Sequence, residues 1–242
     1  MLKLKKPVLL ICSVFLGGLV SGLIFQIFVF PYLLVNPYLA DFQFVKNFKE
    51  GKIVINTKEE IIVQESVVLE KAISKIEKVV VGIQTKTSEK TISGSGLIVT
   101  SDGLIVTLSE LAPVGGSISV FIDGEKIKPQ IVKRDSANNL ILLQIDKSNL
   151  KTCGFSNPED VKLGERVFLL GINLSTLKPI VNEGIIKYFD EKNIKTNIFE
   201  TSSLRGSPLF NIESDLVGLN TIDSAGKVNA IPIEKIKTFV GL

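Results

Sequence analysis

Serine, lysine and carboxylate side chains are plentiful in this 242-residue chain and cysteine occurs twice, but histidine is absent altogether. That absence limits what the others could do. A serine nucleophile needs a group that takes its proton and later gives it up, and imidazole suits both steps because its pKa lies near ~6.5. The glycine-flanked stretch Gly94–Glu110 (GSGLIVTSDGLIVTLSE) ends instead on Glu110. A glutamate starts near ~4.3 and is a weak base unless it is buried away from positive charge. Serine–lysine chemistry would need a lysine desolvated beside the serine. Lys162 and Lys187 flank strand-like runs, where solvation is the default. Glu59 and Glu60 sit in a polar stretch and read as a solvated face. Gly94-Ser95-Gly96 opens a strand and no Gly-Lys-Ser/Thr follows it, so it reads as close backbone packing and not as a phosphate loop. Cys12 and Cys153 fall in different segments, which leaves Cys153 as a lone thiol and small hydrophobe. Without histidine or a second soluble cysteine, a zinc site is not expected, and neither is any cofactor.

The elements that would position these residues begin with an uncharged run. No charged residue lies between Lys6 and Asp41. A helix of about 20 apolar residues spans a bilayer, so residues 7–36 read as a transmembrane signal anchor. Lys3, Lys5 and Lys6 make residues 1–6 a basic tail that favours the cytoplasm. A cleaved signal peptide would have an apolar region of about 7–15 residues and small residues before the cut, and Tyr38-Leu39-Ala40 is a poor match. Residues 37–64 read as an interfacial segment and stalk. Tyr32, near the end of the anchor, and Tyr38, Phe42, Phe44 and Phe48 beyond it form either an interfacial aromatic belt or packing between subunits. The net charge of +3 equals the contribution of the three N-terminal lysines, so the remainder is neutral. A neutral domain holds phosphates poorly, and nucleic acid is not an expected partner.

Residues 65–242 change character. Glu65–Lys78 places Val68, Ala72, Ile73 and Ile76 on one side at helical spacing. Short β-rich runs follow at 79–85, 94–100, 104–108, 117–122, 128–133 and 140–146. After a polar break come 166–171, 184–188, 194–200, 208–211, 216–221 and 228–233. Turn signals such as Ser101-Asp102-Gly103, Asp123-Gly124 and Ala225-Gly226 separate several of them. Many short strands without intervening helices predict an all-β sandwich or barrel. The set divides near 152–163 into two groups of about six. A closing helix is predicted over Ile231–Val240, with Ile233, Ile236 and Val240 inward.

Taken together, the two groups and their motifs resemble the chymotrypsin-like serine proteases, and within them the HtrA/Deg family. The resemblance runs from about Glu65 to Val240. It rests on GSGLIVTSDGLIVT, Leu163-Gly164-Glu165-Arg166-Val167 with Leu170-Gly171, and Asn182-Glu183-Gly184-Ile185-Ile186. Pro208-Leu209-Phe210-Asn211, Leu216–Thr221 and Ala230-Ile231-Pro232 complete it. It implies a double six-stranded β-barrel, with barrel 1 over about 79–150 and barrel 2 over about 160–242. With Leu242 the last residue, no PDZ domain is expected.

The same resemblance implies a triad at particular positions, and each departs from the pattern. Thr-x-x-His has become Thr107-Leu108-Ser109-Glu110. Asp-x-x-x-Asp has become Asp135-Ser136-Ala137-Asn138-Asn139. The nucleophile loop Gly-Asn-Ser-Gly-Gly-Pro-Leu has become Leu204-Arg205-Gly206-Ser207-Pro208-Leu209. Reading back from Pro208 puts Arg205 at the serine site, whereas matching serine to serine puts Ser207 there. Arg205, Gly206 and Ser207 therefore form a degenerate oxyanion loop, and no catalytic residue is expected. Glu110 and Arg205 are expected to pair, with Asn139 beside them. The expected function is binding: a membrane-anchored pseudoprotease outside the cytoplasm that holds a peptide or protein. It could also self-associate or pair with an active homologue as a structural subunit of an envelope complex. A residual serine endopeptidase using Ser207 is the alternative from another class.

Overall fold

The computed structural model describes residues 6–29, 31–32 and 65–242. They belong to two units, Met1–Ile62 and Val63–Leu242. In the first, the uncharged run forms helix α1 (Lys6–Ile24), continued by a π-helical turn at Phe25–Val29. Its side chains from Val14 to Val29 are exposed. Among the described residues no helix is long and apolar enough to cross a membrane. At 1.5 Å per residue α1 rises about 28 Å, against a hydrocarbon core of ~30 Å. The span expected over 7–36 is thus not shown, and most of the tail and the whole stalk at 37–64 lie outside the described residues.

The second unit opens with α2 (Glu65–Ile76) and a 3-10 turn at Glu77–Val79. Its predicted inward stripe is buried at Ala72 and Ile76 and half-buried at Val68 and Ile73. Fourteen strands follow. The first seven are β1 (Val80–Lys86), β2 (Thr91–Ile98), β3 (Leu104–Leu108), β4 (Ser117–Ile122), β5 (Glu125–Ile127), β6 (Gln130–Asp135) and β7 (Leu140–Gln144). The second seven are β8 (Gly154–Phe155), β9 (Arg166–Asn173), β10 (Lys178–Phe189), β11 (Ile194–Phe199), β12 (Pro208–Asn211), β13 (Asp215–Ile222) and β14 (Lys227–Pro232). Helix α3 (Ile233–Val240) closes the chain, ending on Gly241 in the left-handed region at φ 90°. Ile233 and Ile236 face inward as predicted, but Phe239 and not Val240 takes the third fully buried place.

Strands β12-β9-β10-β11-β14-β13 close into a six-stranded ring through the β12–β13 pairing, and β8 attaches parallel to β13. The first sheet, β5-β4-β1-β2-β3-β7-β6, remains open among the described residues. The fold is all-β and chymotrypsin-like, but the first lobe is a half-barrel and not the closed six-stranded barrel expected. Its edges explain this. β5 has only three residues, two of them charged, and β6 is bulged between Ile131 and Lys133 with four exposed residues. Short, charged and bulged strands terminate pairing. At two residues, β8 is too short to carry a pattern. β10 starts six residues earlier than its predicted Gly184 because KPIVNE pairs with β9 despite its proline and polar residues.

β9 joins the two cores. Its unbroken apolar run sends Val167 and Leu169 into the ring, while Phe168 and Leu170 join the core of the first sheet. A strand buried on both faces reads as continuous rather than alternating. Phe168 meets its cross-strand partner Phe210 of β12, which joins the same core, with ring centroids 5.7 Å apart and both rings fully buried. Phe210→Ala is expected to cost about 3–5 kcal/mol by transfer and cavity terms. A urea unfolding curve would read this as a lower midpoint, whereas Phe199→Ala, at 62% exposure, should leave it nearly unchanged.

Candidate functional site

Three turns converge at the mouth of the seam. β3 ends in a 3-10 turn at Ser109–Leu111 that carries Glu110. The β6–β7 connection carries Asn139 at φ 56°, a conformation asparagine tolerates better than most residues. The β11–β12 connection carries a 3-10 turn at Ser202–Leu204, followed by Arg205, Gly206 and Ser207.

Asn139 joins the first two turns. Its Oδ1 accepts the Glu110 backbone N–H at 3.0 Å, and its carbonyl accepts that of Ser109 at 3.0 Å. Its side chain therefore holds the main chain of Glu110 and not a neighbouring ring or carboxylate. Arg134, which the sequence reading missed, locks the same turn. Its guanidinium donates to Ser109 Oγ at 2.8 Å, Ser109 O at 3.2 Å and Ala112 O at 2.6 Å. Nothing in the spacing marks Arg134, because these acceptors lie 22 to 25 residues earlier and meet it only through the β3–β7–β6 pairing.

Arg205 and Ser207 take different places. Arg205 is partly exposed; its Nε lies 3.2 Å from the Ile222 carbonyl and 3.9 Å from Glu110 Oε1. The side chains are 32% and 42% exposed, so the pair is a solvent-screened contact worth at most about 1 kcal/mol. Ser207 is fully buried, and its hydroxyl accepts a bond from Asn220 Nδ2 at 3.1 Å. The hydroxyl therefore faces the protein interior.

The backbone between them is fully committed. The N–H groups of Leu204, Arg205, Gly206 and Ser207 donate to the carbonyls of Thr201, Ser202, Asn220 and Leu204. None of the four is free to receive charge developing on a substrate oxygen. Gly206 stands at φ 73°, and a Cβ there would collide with Ser95 O and Thr107 Oγ1. Gly94 is similarly confined between Leu111 and the Arg205 carbonyl, a packing role. Around these groups lies a cleft of about 500 Å³ bordered by Lys90, Ser93, Glu110, Ser202, Ser203 and Arg205.

The other singled-out groups lie elsewhere. Lys162 and Lys187 are exposed. Cys153 is half-buried, and burial pushes its thiol up to about 12, so it is un-ionised at neutral pH and a poor nucleophile.

Asp135 caps the turn that presents Asn139. It accepts the N–H groups of Ala137 and Asn138 at 3.0 Å each and the Asn138 amide at 2.7 Å. These bonds, that from the Asn138 side chain foremost, hold its carboxyl below the ordinary value of 3.8. A depressed folded-state pKa stabilises the fold above the ordinary value, and the effect is lost as pH falls through the lowered one. Asp135→Asn should lower the melting temperature at pH 7. The gap to wild type should close as the pH is taken below 3.8, measured by thermal melts across pH.

Sequence comparison agrees with this architecture. Residues 94–219, just over half of the chain, match the trypsin-like peptidase domain. Similar proteins include a "Probable periplasmic serine endoprotease DegP-like" of Halomonas elongata, 29% identical over 149 residues that cover 58% of this chain and 31% of the relative. "Serine protease HTRA1" of Xenopus tropicalis is 31% identical over 163 residues, covering 61% of this chain and 35% of that protein. The alignments thus span about a third of the length of these relatives. With the half-barrel, the closed ring and the three convergent turns in place, the chain belongs to the trypsin-like peptidase domain family, in its HtrA-like, chymotrypsin-fold branch.

Proposed function

We propose that this chain is a catalytically inactive, membrane-anchored HtrA-like pseudoprotease whose domain binds a peptide or protein partner outside the cytoplasm. The observation that carries the inactive reading is the committed backbone of Leu204–Ser207, with the Ser207 hydroxyl buried beneath it. Acyl transfer needs donors aimed at the nascent oxyanion, and losing even one costs about 10²–10³ in rate. It also needs a base within reach of the nucleophile. Here the histidine position holds Glu110, the acid position holds Asn139, and Arg205, which has no nucleophilic oxygen, faces the cleft. In this reading the catalytic positions have become parts of a binding wall.

The binding reading draws on strand β2. Only Leu97 and Ile98 of β2 pair with β3, and Ser95 N–H turns to the Arg205 carbonyl instead. Alternate residues of an antiparallel strand direct their main-chain groups to the same side, so Thr91 and Ser93 present theirs along the cleft wall. An extended peptide can add to such an edge by main-chain bonds.

The anchor reading draws on the uncharged run at 7–36 behind Lys3, Lys5 and Lys6, and on helix α1 within it. The DegP-like relatives are named as periplasmic, which supports placing the domain outside the cytoplasm.

Incubation of the full chain with a fluorophosphonate probe and with casein should give neither labelling nor turnover. Labelling at Ser207 would overturn the inactive reading in favour of an unconventional serine endopeptidase. In membranes from expressing cells, alkaline carbonate should leave the chain in the pellet and release a variant lacking residues 7–36. Release of the intact chain would remove the anchor from the proposal.

A further inference from the structure

We infer that the cleft at the former catalytic positions recognises a carboxylate on its peptide ligand, with Arg205 and Lys90 as the recognising groups; this rests on the peptide-binding reading above. The guanidinium of Arg205 is held from one side only. Its Nε faces the Ile222 carbonyl at 3.2 Å and Glu110 Oε1 at 3.9 Å. Among the described residues its two Nη groups meet no acceptor. They are the pair a carboxylate can engage by two parallel N–H···O bonds. Glu110 does not fill this role, because its closest approach is on the Nε side and already at the limit of direct contact.

Lys90 supplies a second cation on the same cleft. The β1–β2 hairpin fixes its position: Lys90 N–H donates to Thr87 Oγ1 at 3.1 Å, and Lys90 O accepts the Thr87 N–H at 2.9 Å. Its ammonium has no ion-pair or hydrogen-bond partner among the described residues. The cleft thus carries two cations against the single carboxylate of Glu110, with Ser93, Ser202 and Ser203 also on its border. A neutral apolar residue would offer these donors no acceptor and leave the surplus charge unbalanced, so it gains less from the cleft than a carboxylate does. An added carboxylate satisfies the Nη groups and balances the surplus charge. Phosphate-bearing nucleic acid is a poorer match, since the chain beyond its N-terminal lysines is neutral and offers no basic track.

The carboxylate can come from an aspartate or glutamate side chain or from the peptide's own C-terminus, and the test separates them. Fluorescein-labelled hexapeptides of alanine and valine are made with either Glu or Gln at the fourth position, each as the free acid and as the C-terminal amide. Their binding to the full chain is read by fluorescence anisotropy at low and high salt. The expected result is binding about tenfold tighter for peptides that carry the recognised carboxylate. The advantage should shrink as salt screens the partly exposed cations. The Glu/Gln comparison reads the side-chain source, and the acid/amide comparison reads the terminal one. Arg205→Gln should remove the preference, and Lys90→Gln should reduce it by a smaller factor. Lys90 is exposed on a hairpin, so that variant guards against an Arg205→Gln protein that fails to fold. Equal binding of all four peptides, or a preference that survives both substitutions, would overturn the inference and leave peptide binding intact. Binding of none of them would remove the peptide-binding reading and this inference together.

Discussion

The Ser95 N–H donating to the Arg205 carbonyl at 2.8 Å, with Gly206 packed directly beneath it, is the contact around which the site is organised. It ties the loop before β12 to the first sheet. The reciprocal bonds of Gly206 N–H to Asn220 O and Asn220 N–H to Ser207 O tie the same loop to β13 of the ring. A single hydrogen bond of this kind adds only about 1 kcal/mol net, but an unmade buried one costs about 1–3 kcal/mol. The loop is therefore held in one conformation, with Arg205 facing out and Ser207 facing in. Only a residue without a Cβ fits between these clamps, which is why Gly206 can stand at φ 73° there.

Polar groups at the seam extend this clamp. Thr107 Oγ1 donates to Ser95 O at 2.6 Å, and Ser95 Oγ accepts the Ile172 N–H at 3.0 Å. Thr85 Oγ1 donates to Leu111 O at 2.6 Å from below the Glu110 turn. Arg134 and Asn139 hold that turn from the other side. The result is a frame in which every bond but that from Arg134 to Ser109 Oγ has a backbone group at one end. In the binding reading proposed above, such a frame offers an edge and two cations to a ligand. The N–H groups of Leu204–Ser207 are spent within this frame.

Several elements were legible in the residue pattern. β3, β4 and β12 fall where alternation and turn residues put them, at Leu104–Leu108, Ser117–Ile122 and Pro208–Asn211. These are apolar runs bounded by Asp-Gly, Gly-Gly and Pro signals, so local chemistry is enough. β10 was only half legible, because Pro179 and the polar residues of KPIVNE are tolerated only through pairing with β9. The open first sheet was not legible, since closure depends on whether β5 and β6 meet, and they are separated by the whole width of the sheet. Arg134 was invisible for a related reason: its acceptors are neighbours in space and not in sequence.

Composition and the spacing of apolar runs alone established that histidine is missing and that the strands come in two groups, while the altered triad positions were what the family resemblance implied. These are properties of residue identity and short-range periodicity. Whether Arg205 or Ser207 faces the cleft was a matter for the tertiary structure, because the loop's register depends on carbonyls of β13 and an N–H of β2. Those partners lie 14 and 110 residues away. The same long-range bonds consumed the loop's donors and left the Arg205 Nη groups unengaged, so the character of the site was decided where the two lobes meet.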